Sequence, residues 1–92
     1  MKINDLVSIL VPVYNIEKNI EKNINILIEK ISPFIENFEI IISDDGSEDN
    51  SKKIIEKICK ENKNIIGVYS KENHGKGNAL KRACEIAKGK YI

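Results

Sequence analysis

The sequence predicts an α/β domain, a three-layer αβα sandwich around a mostly parallel sheet. Three observations predict it. Short β-branched runs alternate with apolar patterns of helical period along all 92 residues, the order that builds strand–helix–strand units. The run Phe38-Glu39-Ile40-Ile41-Ile42 is almost wholly apolar, as a strand buried on both faces requires. That run stops abruptly in Ser43-Asp44-Asp45-Gly46-Ser47. Two carboxylates therefore stand at the carboxyl end of a strand, where open α/β sheets gather their ligands.

Val7 to Val13 forms the first predicted strand, and Pro12, which has no N–H to give a ladder, turns the chain out at Tyr14-Asn15. Ile16, Ile20, Ile24, Leu27, Ile28 and Ile31 recur at three- and four-residue steps. They mark an amphipathic helix that Ser32-Pro33 ends. After the second strand, Ser47-Glu48-Asp49-Asn50-Ser51 supplies capping residues and acids for a helix start. Ile54, Ile55, Ile58 and Cys59 give that helix its apolar face, and the pattern fades at Glu61-Asn62-Lys63-Asn64. Ile65 to Ser70 is the third strand, and Lys71 to Gly77 a polar loop. Ala79, Leu80, Ala83, Cys84 and Ala87 mark a third helix, with Gly89 as its expected C-terminal cap. Tyr91-Ile92 begins an expected fourth strand, after which the sequence stops. A doubly wound sheet would place strand one centrally, flanked by strands two and four, and bring the loops carrying Tyr14 and Asp45 to one crevice.

A chain of this length is one small domain or part of a larger one, able to bury roughly 65% of its unfolded surface. Hydrophobic residues make up 41% and charged residues 32%, with a net charge of +1. No basic stripe interleaved with aromatics is present, which argues against a nucleic-acid partner. Cys59 and Cys84 lack metal-ligand spacing and read as reduced thiols. The first apolar run is too short for a transmembrane helix and Pro12 interrupts it, so a cytoplasmic chain without a signal peptide is expected. An architecture closing at its fourth strand leaves strand one poorly covered. An exposed edge of that kind invites pairing with another chain, so a homo-oligomer formed there is a further expectation.

The turn after strand one, Pro12-Val13-Tyr14-Asn15-Ile16-Glu17, has no glycine, which excludes the glycine-rich dinucleotide fingerprint. Gly75-Lys76-Gly77 fits no P-loop. A phospho-acceptor receiver domain would need acids after strand one, and none stands at Tyr14-Asn15. Tyr14 offers a ring on which a nucleobase could stack, or equally a cover for the core edge. Asp45 could accept a hydrogen bond from a base or ribose, with Asp44 pointing the other way or capping the turn, although an isolated Asp-Asp-Gly is first of all a turn. Asn73-His74-Gly75-Lys76-Gly77-Asn78 puts flexible backbone and a cation before a helix, which suits a diphosphate or simply a solvated loop.

Taken together these pieces resemble the inverting family 2 glycosyltransferases. Four segments match in order: Val7 to Asn15, Ile41 to Asp49, Asn73 to Leu80 and Ala87 to Ile92. The resemblance implies a Rossmann-like fold of GT-A type, truncated after the start of its fourth strand. Residues 1–92 would be the incomplete, N-terminal nucleotide-binding portion of that domain. Within the family, Pro12-Val13-Tyr14-Asn15 with Asn19-Ile20, and Gly75-Lys76-Gly77 with Ala79-Leu80, look most like polyprenyl-phosphate sugar transferases. The implied donor site comprises Pro12, Val13 and Tyr14 at the base, Glu17 beside them, Asp45 on base or ribose, and Gly75, Lys76 and Gly77 near the diphosphate. Two positions depart from that subgroup: Ile16 stands where it has an acid, and Ala83 where it tends to have glycine. The family's Asp-x-Asp would follow Tyr91-Ile92. Any magnesium or manganese ion would therefore be held outside this chain, and no catalytic residue is expected within it. The implied partners are a nucleoside-diphosphate sugar and, through the remainder of the protein, a lipid acceptor at the inner face of a membrane. A stand-alone, non-catalytic binding or assembly module is the competing expectation.

Overall fold

The computed structural model describes residues 4–89, in which three strands alternate with three helices. They are β1 (Val7–Val13), α1 (Ile20–Ile31), β2 (Phe38–Asp44), α2 (Ser51–Glu61), β3 (Ile65–Tyr69) and α3 (Lys76–Ile86). The strands lie in the order β1-β2-β3, every pair parallel. β1 pairs with β2 from Val7 opposite Phe38 to Val13 opposite Asp44, and β2 with β3 from Ile40 opposite Ile65 to Asp44 opposite Tyr69. This is the α/β sandwich that the alternation predicts.

Side-chain alternation along β2 divides the domain into its layers. Ile40 and Ile42 join Val13, Ile20, Ile24, Ile55, Ile58 and Ile65 in one buried cluster, which seats α1 and α2 on one face. Glu39, Ile41, Ser43 and Asp45 take the opposite alternation and are also buried, and α3 packs on β1 and β2. α3 meets the sheet through Ala79 and Ala83, both fully buried. Such small side chains let a helix backbone approach closely, so the third layer is thin.

Several boundaries differ from the sequence expectation, each for a local reason. α1 begins at Ile20 rather than Ile16, because Asn15 turns left-handed at φ 50° and Ile16 closes a separate turn by accepting the Asn19 N–H at 3.0 Å. α3 begins at Lys76, inside the expected loop, with Gly75 at its N-cap. Gly89 is not the cap of α3. That helix ends at Ile86 with Ala87 as its cap, the Ala87 N–H reaching the Cys84 carbonyl at 3.2 Å. β1 has β2 on one side as expected, while the fourth strand expected at Tyr91-Ile92 lies outside the described residues.

Gly89 instead serves a close approach. A Cβ built there would fall 2.6 Å from the Ser8 amide nitrogen and 2.9 Å from the Leu6 carbonyl oxygen, so only glycine lets the chain lie against β1. A buried polar group secures the contact. The Glu39 carboxylate, 7% exposed, accepts the Ser8 hydroxyl at 2.5 Å and the Lys88 N–H at 2.7 Å, while Ser8 Oγ accepts the Gly89 N–H at 2.8 Å. Burial pushes the Glu39 pKa up, but the Ser8 hydroxyl, the Lys88 N–H and the Lys88 charge outweigh it and leave the carboxyl below its ordinary 4.5. Gly46, just past β2, has φ +75° and meets the third loop, where an added Cβ would lie 2.5 Å from the Glu72 carbonyl carbon.

Glu39→Ala is expected to lower the unfolding free energy by about 1.5–3 kcal/mol in urea melts, because the Ser8 hydroxyl and two amides lose a charged network. Since the folded carboxyl is the stronger acid, the unfolded chain takes up the proton first as pH falls. The stabilisation from Glu39 is therefore complete above about pH 5 and drains away as acid passes 4.5 and then the lower folded value. Glu39→Gln should flatten that part of the stability–pH curve. Gly46→Ala is expected to cost at least about 1–2 kcal/mol from the left-handed backbone alone, and thermal melts would read the loss.

Candidate functional site

Three loops leave the carboxyl ends of the strands and meet above β2. The register that sets Pro12 beside Ser43 and Val13 beside Asp44 extends one step further, because the Asp45 N–H reaches the Val13 carbonyl at 2.9 Å. On the other side, the Ser70 N–H reaches the Asp44 carbonyl at 3.0 Å. Sheet pairing therefore carries Asp44 and Asp45 into the centre of the loop layer, 2% and 4% exposed.

The two acids do different work. Asp44 caps its own turn, accepting the Ser47 N–H at 3.2 Å and the Ser47 hydroxyl. Asp45 reaches across to the third loop. One of its oxygens accepts the His74 N–H at 3.0 Å and the other the Gly75 N–H at 2.7 Å. The Arg82 guanidinium, one-fifth exposed, closes the group at 3.0 Å from Oδ1. Burial raises the Asp45 pKa, yet the His74 N–H, Arg82 and the Gly75 N–H together hold it below its ordinary 3.8. The carboxylate stays ionised and anchors the start of α3, where Gly75 sits at φ +96°.

Between these loops opens a cleft of about 420 Å³. Of the residues expected from the sequence, Pro12, Val13, Tyr14, Asp45, Gly75 and Lys76 line it. Its wall is part apolar, from Pro12, Val13 and Ala79, with the Tyr14 ring 44% exposed at one side. Lys76 occupies the first turn of α3, which carries no acid. A cation beside free helix N–H groups makes that side of the cleft suited to an anion.

Two expected residues are not brought in. Glu17 lines a separate, smaller cavity of about 250 Å³ with Lys18 and Asp49. The turn over 16–19 carries it there, and its N–H is held by Asp49 Oδ2 at 3.2 Å. Gly77 lies within the first turn of α3, with open space where a Cβ would stand, and does not line the cleft. Asn73, Ala79 and Arg82 were not foreseen as site residues. Arg82 carries a signal in hindsight: it falls three residues beyond Ala79, beside the buried stripe of the helix that follows the glycine loop. Its Nε is buried without a hydrogen-bond partner among the described residues.

Among the described residues, no group of three or more His, Cys, Asp or Glu side chains is placed to hold a metal ion, and no helix is long and apolar enough to cross a membrane.

Comparison with known proteins supplies the family. The model of glycosyl transferase family 2 matches residues 8–92. Glycosyltransferase AglD of Haloferax volcanii is 33% identical over 90% of this chain and 14% of its own length. Undecaprenyl-phosphate 4-deoxy-4-formamido-L-arabinose transferase of Shewanella sediminis is 33% identical over 96% of this chain and 27% of its own. Dolichyl-phosphate beta-glucosyltransferase of Dictyostelium discoideum is 35% identical over 96% of this chain and 29% of its own. The chain thus spans less than a third of each of these relatives. The match runs through all three strands and every loop of the cleft, and on that ground this chain belongs to glycosyl transferase family 2.

Proposed function

We propose that the cleft binds the nucleoside diphosphate of a sugar donor, serving inverting transfer of the sugar in the whole protein. The observation that carries this is the convergence of an exposed aromatic ring, an ionised carboxylate and a lysine at a helix N-terminus around one cavity. Tyr14 would stack on the base. A carboxylate has about four acceptor positions, and three donors already hold Asp45, so one position remains for a base N–H or ribose hydroxyl. Lys76 and the first amides of α3 would meet the diphosphate. Glu17 and Gly77 support this reading least, because neither lines the cleft.

In the transfer, an acceptor oxygen would attack the anomeric carbon from the face opposite the leaving group. The bond to the diphosphate oxygen breaks, and the diphosphate carries away the electron pair. This chain's part is to hold that leaving group. The relatives named for undecaprenyl phosphate and dolichyl phosphate suggest a lipid phosphate as the acceptor, reached at the cytoplasmic face of a membrane. A magnesium or manganese ion on the diphosphate would draw its ligands from beyond this chain.

Calorimetric titration with uridine and guanosine diphosphates tests the assignment. Tyr14→Ala is expected to lose about 1–3 kcal/mol of binding, roughly 5- to 150-fold, while Tyr14→Phe keeps most of it. Asp45→Ala should weaken binding at least about tenfold, the loss of one good hydrogen bond to a charged group. Parent-like affinity in both Tyr14→Ala and Asp45→Ala would overturn this use of the cleft.

A further inference from the structure

We propose that Asn15 is a positioning residue that sets Tyr14 at the mouth of the cleft by locking the loop after β1 to the turn after β2; this rests on the nucleotide reading above. Tyr14 makes its contribution from an exposed position, with 44% of its surface open. A ring so placed stays in one attitude only if the backbone on each side of it is held. Both sides are. On the N-terminal side, the Val13 carbonyl accepts the Asp45 N–H at 2.9 Å. On the C-terminal side, Asn15 makes two bonds to a single turn: its N–H donates to Ser47 Oγ at 2.9 Å, and its Oδ1 accepts the Glu48 N–H at 2.8 Å.

The first bond is relayed inward. The Ser47 hydroxyl, having accepted from Asn15, donates its own hydrogen to the Asp44 carboxylate, a group 2% exposed. An exposed loop amide is thereby tied through one oriented hydroxyl to the buried end of β2. A further tie follows two residues on, where Asp49 Oδ2 accepts the Glu17 N–H. Asn15 reaches this geometry in the left-handed region, at φ 50°, which Asn and Asp enter more readily than other side chains. The residue type thus answers two needs at once, an unusual backbone angle and a side-chain acceptor. No cleft-lining role is involved, since Asn15 is absent from the residues around the cavity.

The test separates backbone from latch. Asn15→Gly keeps the left-handed angle and removes the acceptor for the Glu48 N–H, whereas Asn15→Asp keeps both. In the intact protein, Asn15→Gly is expected to bind uridine or guanosine diphosphate about five- to tenfold more weakly, and Asn15→Asp to regain most of that loss. Because Asn15 acts through Tyr14, the losses should not add: Asn15→Gly placed in a Tyr14→Ala background should cost less than twofold more. Additive losses, or parent-like binding by Asn15→Gly, would overturn the proposal. A fluorotyrosine resonance at Tyr14 gives a readout free of nucleotide. It should broaden or shift in Asn15→Gly and return in Asn15→Asp, and an unmoved resonance counts against the latch. If the parent protein binds neither nucleotide, the nucleotide reading fails, and the Tyr14 resonance alone decides whether Asn15 holds the ring.

Discussion

Two carboxylates, one in β2 and one just past its end, hold both ends of one helix. Glu39, within β2, and Asp45, one residue past its end, lie six residues apart, an even spacing that turns both toward α3. Each is buried and each accepts backbone N–H groups: Asp45 those of His74 and Gly75 before the helix, Glu39 that of Lys88 after it. α3 has little else to fix it, because its buried contacts are the side chains of Ala79 and Ala83. Small side chains bring a helix close but contribute little apolar area. Ionised acceptors supply the direction and register that a thin layer of packing cannot.

This arrangement also explains why the cleft sits where it does. Asp45 draws the third loop over the end of β2, and the close approach of Gly46 to Glu72 keeps the second loop beneath it. The loop after β1 is joined to the same turn from the other side through Ser47, Glu48 and Asp49. The turn after β2 is therefore the hub of the site, and the cavity is the space left between the two loops that it holds. Loops tied together in this way would leave less ordering to offset when a ligand enters the cleft.

Much of this was legible beforehand. The apolar run of β2, the helical spacing of the isoleucines and the position of Asp45 are local patterns, and each survives into the structure. Pro12, Tyr14 and Lys76 also fall around the cavity as expected. The misses share a cause. The resemblance put Glu17 beside Tyr14, but the left-handed turn at Asn15 sends it to another cavity. Gly89 looked like a helix cap because glycine after an apolar stripe commonly is one, whereas its need is set by Ser8, 81 residues away.

What the sequence by itself determined, then, was the alternation of the three strands and three helices described, their parallel sheet and the strand whose end carries the paired acids. Periodicity and turn chemistry act over a few residues, and those few residues suffice to read them. Only the tertiary structure decided what each acid does. Asp44 and Asp45 are chemically identical neighbours, and strand alternation sends one into its own turn and the other across to His74, Gly75 and Arg82. The same holds for Glu39, which reads in the sequence as an interruption of an apolar run. It becomes a buried anchor only because Ser8 and Lys88 arrive from opposite ends of the chain to meet it. A carboxylate's role depends on which donors surround it, and those donors are assembled by the fold.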